Sequence, residues 1–281
     1  MAVKIVTDST ADLPPGVAEE LGITVVPLYV RFGDKLYRDR IDISEDEFYD
    51  RLVHDPVLPG TSQPTPNDFA HVYSKLAKEA DGIISIHISS KLSGTCDSAF
   101  SAKQMVGGSC PIEVVDSLWT SIALGYLAMR AAEGARAGKG MPELVKEINS
   151  LIPKIRYLGF FDTLKYMQLG GRIGKAQSLV GSVLNVKPLI TMKDGEFLPV
   201  SRVRTYAKAK ERLFEFVKAG TKLEAVFVVH NTTPGEAGEM ADRFGSLFER
   251  KKIIIARLGP VLGVHAGPGT LFTGYLEGKP D

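Results

Sequence analysis

The chain is short of the residues that most often announce chemistry. Its 281 residues include only two cysteines, Cys96 and Cys110, with neither metal-ligand spacing nor a disulfide framework. That suits a reducing, cytoplasmic setting. No His, Cys or acidic pair has the spacing of a zinc helix, so no metal is expected. Charge of one sign is lacking too: the formal net charge is +1, which argues against a nucleic-acid partner. No window approaches the ~18 uninterrupted apolar residues that span a bilayer. "MAVKIVTDST" does not read as a signal peptide, because Asp8 and Ser9 end its apolar run. Nucleotide motifs are missing: no GxGxxG follows a strand, and neither "GARAGKG" nor "GGRIGKA" has P-loop spacing. The nucleophile elbow GxSxG is absent as well. No cofactor is expected.

What is present is an ordinary globular composition, 44% hydrophobic and 24% charged. The length suggests about two domains. Strands are expected at Lys4–Ser9, Ile23–Phe32, Gly82–Ser89 and Ile112–Ser117. Helical stretches lie between them: one capped by Ser44, one capped by Thr65 with Pro66 in its first turn, and "SGTCDSAFSAKQMV". Near-continuous apolar strands alternating with helices predict a parallel sheet covered on both faces, a three-layer α/β domain over residues 1–150. "SIALGYLAMRAAEGARAGKG" and "MPELVKEINSLIPKI" read as helices. Residues 151–281 then read as an α+β domain with a mixed sheet: a strand at "LGFFDTL", a hairpin turning at Asp194-Gly195, and helices and strands to "KKIIIARLG".

In a parallel sheet, ligands bind outside the carboxyl ends of the strands. Those ends carry "TDST", "ISSKLSGT" and "DSLWTS", all rich in hydroxyls, and "LPGTSQPTP" places Thr61 and Ser62 in a loop between helices. Ser93 stands where a strand gives way to a helix, whose unpaired amides suit an anion. Near the C-terminus, "RLGPVLGVHAGPGTLFTGYL" carries a lone histidine, His265, on a segment too broken by Gly and Pro to form one uninterrupted helix. Irregular backbone is expected there. Hydroxyls beside an imidazole in apolar company suit a carboxylate head group.

"VTDSTADLP", "GTSQPTPNDF", "ISSKLSGTCDSA", "VVDSLWTSIALGYL", "LKYMQLGGRIGKAQSLVGSVLNVKPLIT" and "LGPVLGVHAGPG" resemble, in order and spacing, the signatures of the DegV family of bacterial fatty-acid-binding proteins. The resemblance runs from Val6 to about Gly269. It implies two α/β domains with a long-chain fatty acid such as palmitate buried between and within them. It places the carboxylate on Thr61, Ser93 and His265, with Ser62, Gly94 and Thr95 in support. It further implies a non-catalytic carrier that presents the carboxylate to a separate fatty acid kinase, with Arg202 and Arg204 facing that partner. Transient contact with a membrane surface would accompany lipid exchange.

Two other functions stay open on the residues alone. One is a serine hydrolase of acyl esters or thioesters using Ser93 and His265, with Asp8 or Asp116 as acid; the other is a binder of a different amphipathic carboxylate. Channel walls are expected in "SIALGYLAM", "LGFFDTL" and "SLVGSVLNV". Cys96, Phe272 and Tyr275 depart from the sizes the resemblance leads one to expect, Cys96 by being small and the two aromatics by being large. Either departure could change which acyl chain fits.

Overall fold

The computed structural model describes residues 2–108, 110–180 and 186–278. The first part of the chain runs β1 (Ala2–Asp8), α1 (Val17–Leu21), β2 (Ile23–Val26), β3 (Tyr29–Phe32), β4 (Lys35–Arg38), α2 (Glu45–His54), β5 (Gly60–Ser62) and α3 (Pro66–Leu76). It continues through β6 (Ala80–His87), α4 (Thr95–Val106), β7 (Ile112–Asp116), α5 (Ser121–Arg136) and α6 (Met141–Leu151). Then come β8 (Ile155–Phe160), α7 (Lys165–Leu169), β9 (Lys187–Lys193), β10 (Glu196–Val203), α8 (Tyr206–Lys218) and β11 (Leu223–His230). The chain closes with α9 (Pro234–Phe244), β12 (Ile254–Arg257), α10 (Pro260–Ala266) and β13 (Leu271–Glu277).

The described residues form three sheets. The order β2-β1-β6-β7 is parallel throughout. A six-stranded mixed sheet runs β10-β9-β8-β13-β11-β12, and β4-β3-β5 is a small antiparallel sheet. The mixed α/β architecture expected from the sequence is present. Alternation along each strand decides what it covers. In the parallel sheet, Ile5, Ile84 and Ile86 face α5 and α6, whereas Val6, Ile83 and Ile112 face Phe69 and Tyr73 of α3 and Ala99 and Ala102 of α4. In the mixed sheet, Val226 and Val228 pack on Leu213, Val217, Met240 and Phe244 of α8 and α9, while Phe227 and Val229 join the core that contains α5. Helix α5 thus lies between two sheets, with eleven of its sixteen residues buried. Its small residues permit this: a Cβ on Gly125 would stand 2.3 Å from the Ala11 carbonyl oxygen.

Three expectations are corrected. The strand Ile23–Phe32 is two strands in different sheets, because Pro27 has no N–H for the ladder and the Leu28 N–H donates to Ser9 Oγ (3.0 Å) instead. Thr61 and Ser62 lie on β5, paired with β3, and not in a loop. The Gly-Pro-rich C-terminal stretch is not irregular where His265 lies: it forms α10, then β13, which sits inside the mixed sheet between β8 and β11. Its breakers misled because Gly274 and Gly159 act in a ladder. Gly159 pairs with Phe272 and Gly274 with Tyr157, and each ring occupies the space a Cβ on the opposing glycine would need.

Candidate functional site

His265 is held by anchoring both ends of α10. At the start, Asp12 Oδ1 accepts the Gly259 N–H (2.9 Å), Arg40 donates to the Arg257 carbonyl (2.6 Å) and Tyr49 to that of Leu258 (3.1 Å). At the end, Gly267 turns at φ 68°, and Asn231 donates to its carbonyl while accepting the Thr270 N–H (3.1 Å). Asp12 lies within "VTDSTADLP" but was given no role from the sequence, and Asn231 carried no motif.

Strand β5 brings Thr61 against this helix, with Oγ1 3.0 Å from His265 Nε2. His265 Nδ1 has no partner and abuts Gly170, where a Cβ would come within 2.1 Å of it. An orphaned acceptor is tolerated better than an orphaned N–H, so the proton belongs on Nε2. His265 then donates to Thr61, and the Thr61 hydroxyl is free to donate onward. Burial, reinforced by the charge of Arg172, pushes the imidazole down to about 4, so it is neutral at pH 7.

Ser93 lies in the turn between β6 and α4. It does not cap the helix: Gly94 holds the N-cap position without a side-chain bond, and Ser93 Oγ instead pairs with Thr95 Oγ1 (2.8 Å). The first amides of α4 therefore remain uncapped by any side chain. Gly94 makes room for Gln63, whose Nε2 would lie 2.5 Å from a Cβ there.

Thr61, Ser62, Ser93 and His265 all line one cleft between the sheets, with about 790 Å³ of atom-free space including its open mouth. Gly94 and Thr95 are not among its lining residues. Arg202 and Arg204 are not brought to it; both are exposed and line a separate surface groove beside α8. Apart from these polar groups the lining is mostly apolar, including Leu92, Phe161, Met167, Phe197, Val261 and Phe272. Of the expected walls, "SIALGYLAM" gives only Ser121 and "LGFFDTL" only Phe161. Gly181–Asn185 of "SLVGSVLNV" lie outside the described residues. Phe272 shapes the cleft, but Tyr275 points to the other face, against Phe216, so it does not bear on what fits. Cys96 is buried outside the cleft lining, its Sγ on the Ile88 carbonyl.

Sequence reasoning missed Arg172, the one charged residue among the described residues of that lining. It is steadied by bonds to the carbonyls of Gly170 (2.7 Å) and Leu92 (3.3 Å). The adjacent Gly170-Gly171 pair was the available signal. A second cleft opens beside the first and shares Thr61, Arg172 and His265 with it. It adds Arg31 but no acidic residue, and Leu58 and Leu169 lie exposed on its rim. The three shared residues thus mark one end of the apolar cleft, and the field there is positive.

A hydrolase would need Ser93 on His265 and an acid behind the imidazole. Each side chain has another partner or none. Asp8 and Asp116 are structural: Asp8 accepts from the Thr10 and Ile88 amides, and Asp116 from that of Leu118. A Ser85–His87–Asp8 series does exist (2.6 and 3.0 Å), but all three are fully buried, with Tyr73 donating to Ser85. No substrate reaches it.

Comparison with known proteins places this geometry in context. The profile of the DegV family, described as an uncharacterised protein family, matches residues 2–277. A DegV domain-containing protein of Streptomyces coelicolor is 40% identical over 274 residues, covering 96% of each chain. Among solved structures, a DegV family protein from Thermus thermophilus, described by its fatty acid binding, superposes with a TM-score of 0.90 at 34% identity, over 98% of this chain and 100% of that one. DegV of Bacillus subtilis, described as a fatty acid binding protein, gives 0.88 at 31% identity, over 99% and 100%.

Proposed function

This chain belongs to the DegV family, and we propose that it binds a long-chain fatty acid, acyl chain in the apolar cleft and carboxylate at the Thr61–Ser93–His265 end, with Arg172 as counter-ion. The observation that carries this is Arg172, the one cation among the described residues of a largely apolar lining, in company with the Thr61 hydroxyl, which is free to donate. Burying one methylene stabilises by ~0.8 kcal/mol, so a long chain supplies roughly 10 kcal/mol before ordering losses. A buried carboxylate without donors would cancel much of that. Here the Thr61 hydroxyl, Ser93, the Arg172 guanidinium and the first amides of α4 supply them. The solved relatives described as fatty-acid-binding support the same ligand.

The protein acts as a carrier, not an enzyme, and presents the carboxylate to a separate kinase that forms the acyl phosphate. The polar second cleft, which opens onto the same three residues, is the side from which a partner reaches the carboxylate. Arg202 and Arg204 form a further contact for that partner, and exposed Leu58 and Leu169 at the rim suit brief contact with a membrane surface during exchange. The working compartment is the cytoplasm. The chain divides into domains 1–150 and 151–281, since the parallel sheet draws only on residues before 117 and the mixed sheet only on those after 154.

Native mass spectrometry of the purified protein, followed by extraction and identification of what is bound, tests this reading. The expected result is one long-chain fatty acid per chain. A protein that is empty and takes up no added fatty acid would remove the function and leave the fold. Steady acyl-ester hydrolysis, lost in Ser93→Ala, would replace the carrier with an enzyme.

A further inference from the structure

Two residues lining the cleft carry polar atoms that find no well-formed partner within the protein and that an unsubstituted acyl chain would leave idle. The Tyr157 hydroxyl and Thr120 Oγ1 both belong to cleft-lining residues, are both at least nine-tenths buried, and have no hydrogen-bond partner. Thr120 occupies the N-cap position of α5, where threonine ordinarily accepts a first-turn amide. Here it makes no capping bond, so both the hydroxyl and the first amides of a sixteen-residue helix stay unengaged by side chains. Ser121, also in the lining, donates to Asp12 Oδ2 (2.6 Å), and although it approaches the Tyr157 phenol, no well-formed hydrogen bond joins the two. Ser121 is held in the left-handed region at φ 55°. Strain of this kind persists where the surroundings over-determine it and gathers at ligand sites.

Hydroxyls and amide N–H groups together favour an acceptor oxygen. The Asp12 carboxylate, one hydroxyl away through Ser121, disfavours an anion. The oxygen is therefore neutral. Tyr157 is clamped in place, its ring stacked on Phe272 at 5.2 Å and lying over Gly274, so its hydroxyl is a fixed donor. Resting on the fatty-acid reading above, we propose that the cleft is built for an acyl chain carrying a neutral oxygen substituent, a hydroxyl or an oxo group, seated on Thr120 and Tyr157.

The test is competitive binding of stearate against its positional hydroxy and oxo derivatives. At least one positional isomer should bind about fivefold to tenfold more tightly than stearate, the gain expected of one buried hydrogen bond. Tyr157→Phe and Thr120→Val should each bring that ratio to about one, and Thr120→Ser, which keeps the hydroxyl, should retain it. Stearate binding with no isomer preferred, or a preference that survives both substitutions, overturns this proposal alone. Failure of stearate and every derivative to bind overturns the fatty-acid reading, and this one with it.

Discussion

Thr61 Oγ1 and His265 Nε2 lie 3.0 Å apart although 204 positions separate them in the chain. The pair forms because a three-residue edge strand and a seven-residue helix, each unremarkable alone, are both fixed by distant residues. Thr61→Val keeps the shape and removes the hydroxyl, leaving a buried imidazole N–H unpaired and the ligand without a donor. A loss of ~1–3 kcal/mol is expected, read as roughly a fivefold to hundredfold weaker fatty-acid affinity by calorimetry. Thr61→Ser should recover most of it. Equal affinity in the valine variant would remove Thr61 from the head-group site.

Arg172 lowers the pKa of His265 by like-charge repulsion, second to burial. Arg172→Gln should therefore raise the His265 midpoint above about 4, while burial still holds it below the ordinary 6.5. Titration of the ring signals by NMR reads this directly. The same variant should bind fatty acid more weakly, with less dependence on salt. An unmoved midpoint would mean that the guanidinium sits farther from the imidazole than described.

Phe272 and Tyr275 are three residues apart on one strand and face opposite cores. Phe272→Ala should destabilise the protein by about 3–5 kcal/mol, and it should broaden the bound acyl chains toward longer or branched ones. Tyr275→Ala should also destabilise but leave the acyl profile unchanged. Denaturation and mass spectrometry of co-purified lipid separate the two. A shifted profile in the Tyr275 variant would contradict the assignment of faces.

Asp39 is 2% exposed, and although Ser9 approaches it, neither carboxylate oxygen has a well-formed hydrogen bond. Burial, opposed in part by Arg40, raises it from 3.8 to about 7. The native state thus keeps a proton that the unfolded chain loses near pH 4. That contribution is whole below about pH 4 and is lost as pH rises through 7. Asp12, raised to about 6, acts in the same direction. His265 acts in the opposite one: its stabilisation is present above 6.5 and is lost as pH falls toward 4. In thermal melts, Asp39→Asn should gain on the wild type as pH rises from 4 to 8. A difference independent of pH would show that the carboxyl is not buried as described.

Much of this was legible in residue order. The parallel sheet, the Ser44 and Thr65 caps, and the Asp194-Gly195 hairpin follow from local periodicity and turn chemistry, and each is present. Thr61, Ser62, Ser93 and His265, each picked out in the sequence, line one cleft. What failed depended on partners far away. Strand β13 was hidden because its glycine makes sense only beneath Tyr157, and the break at Pro27 mattered only once β3 had a different sheet to join. Sequence fixes what each segment can do locally, through dihedral preference, hydrogen-bonding inventory and hydrophobic period. Tertiary structure decided which polar groups meet, that Arg172 faces the cleft, and that His265 is neutral, because burial and charge separation are properties of the packed whole.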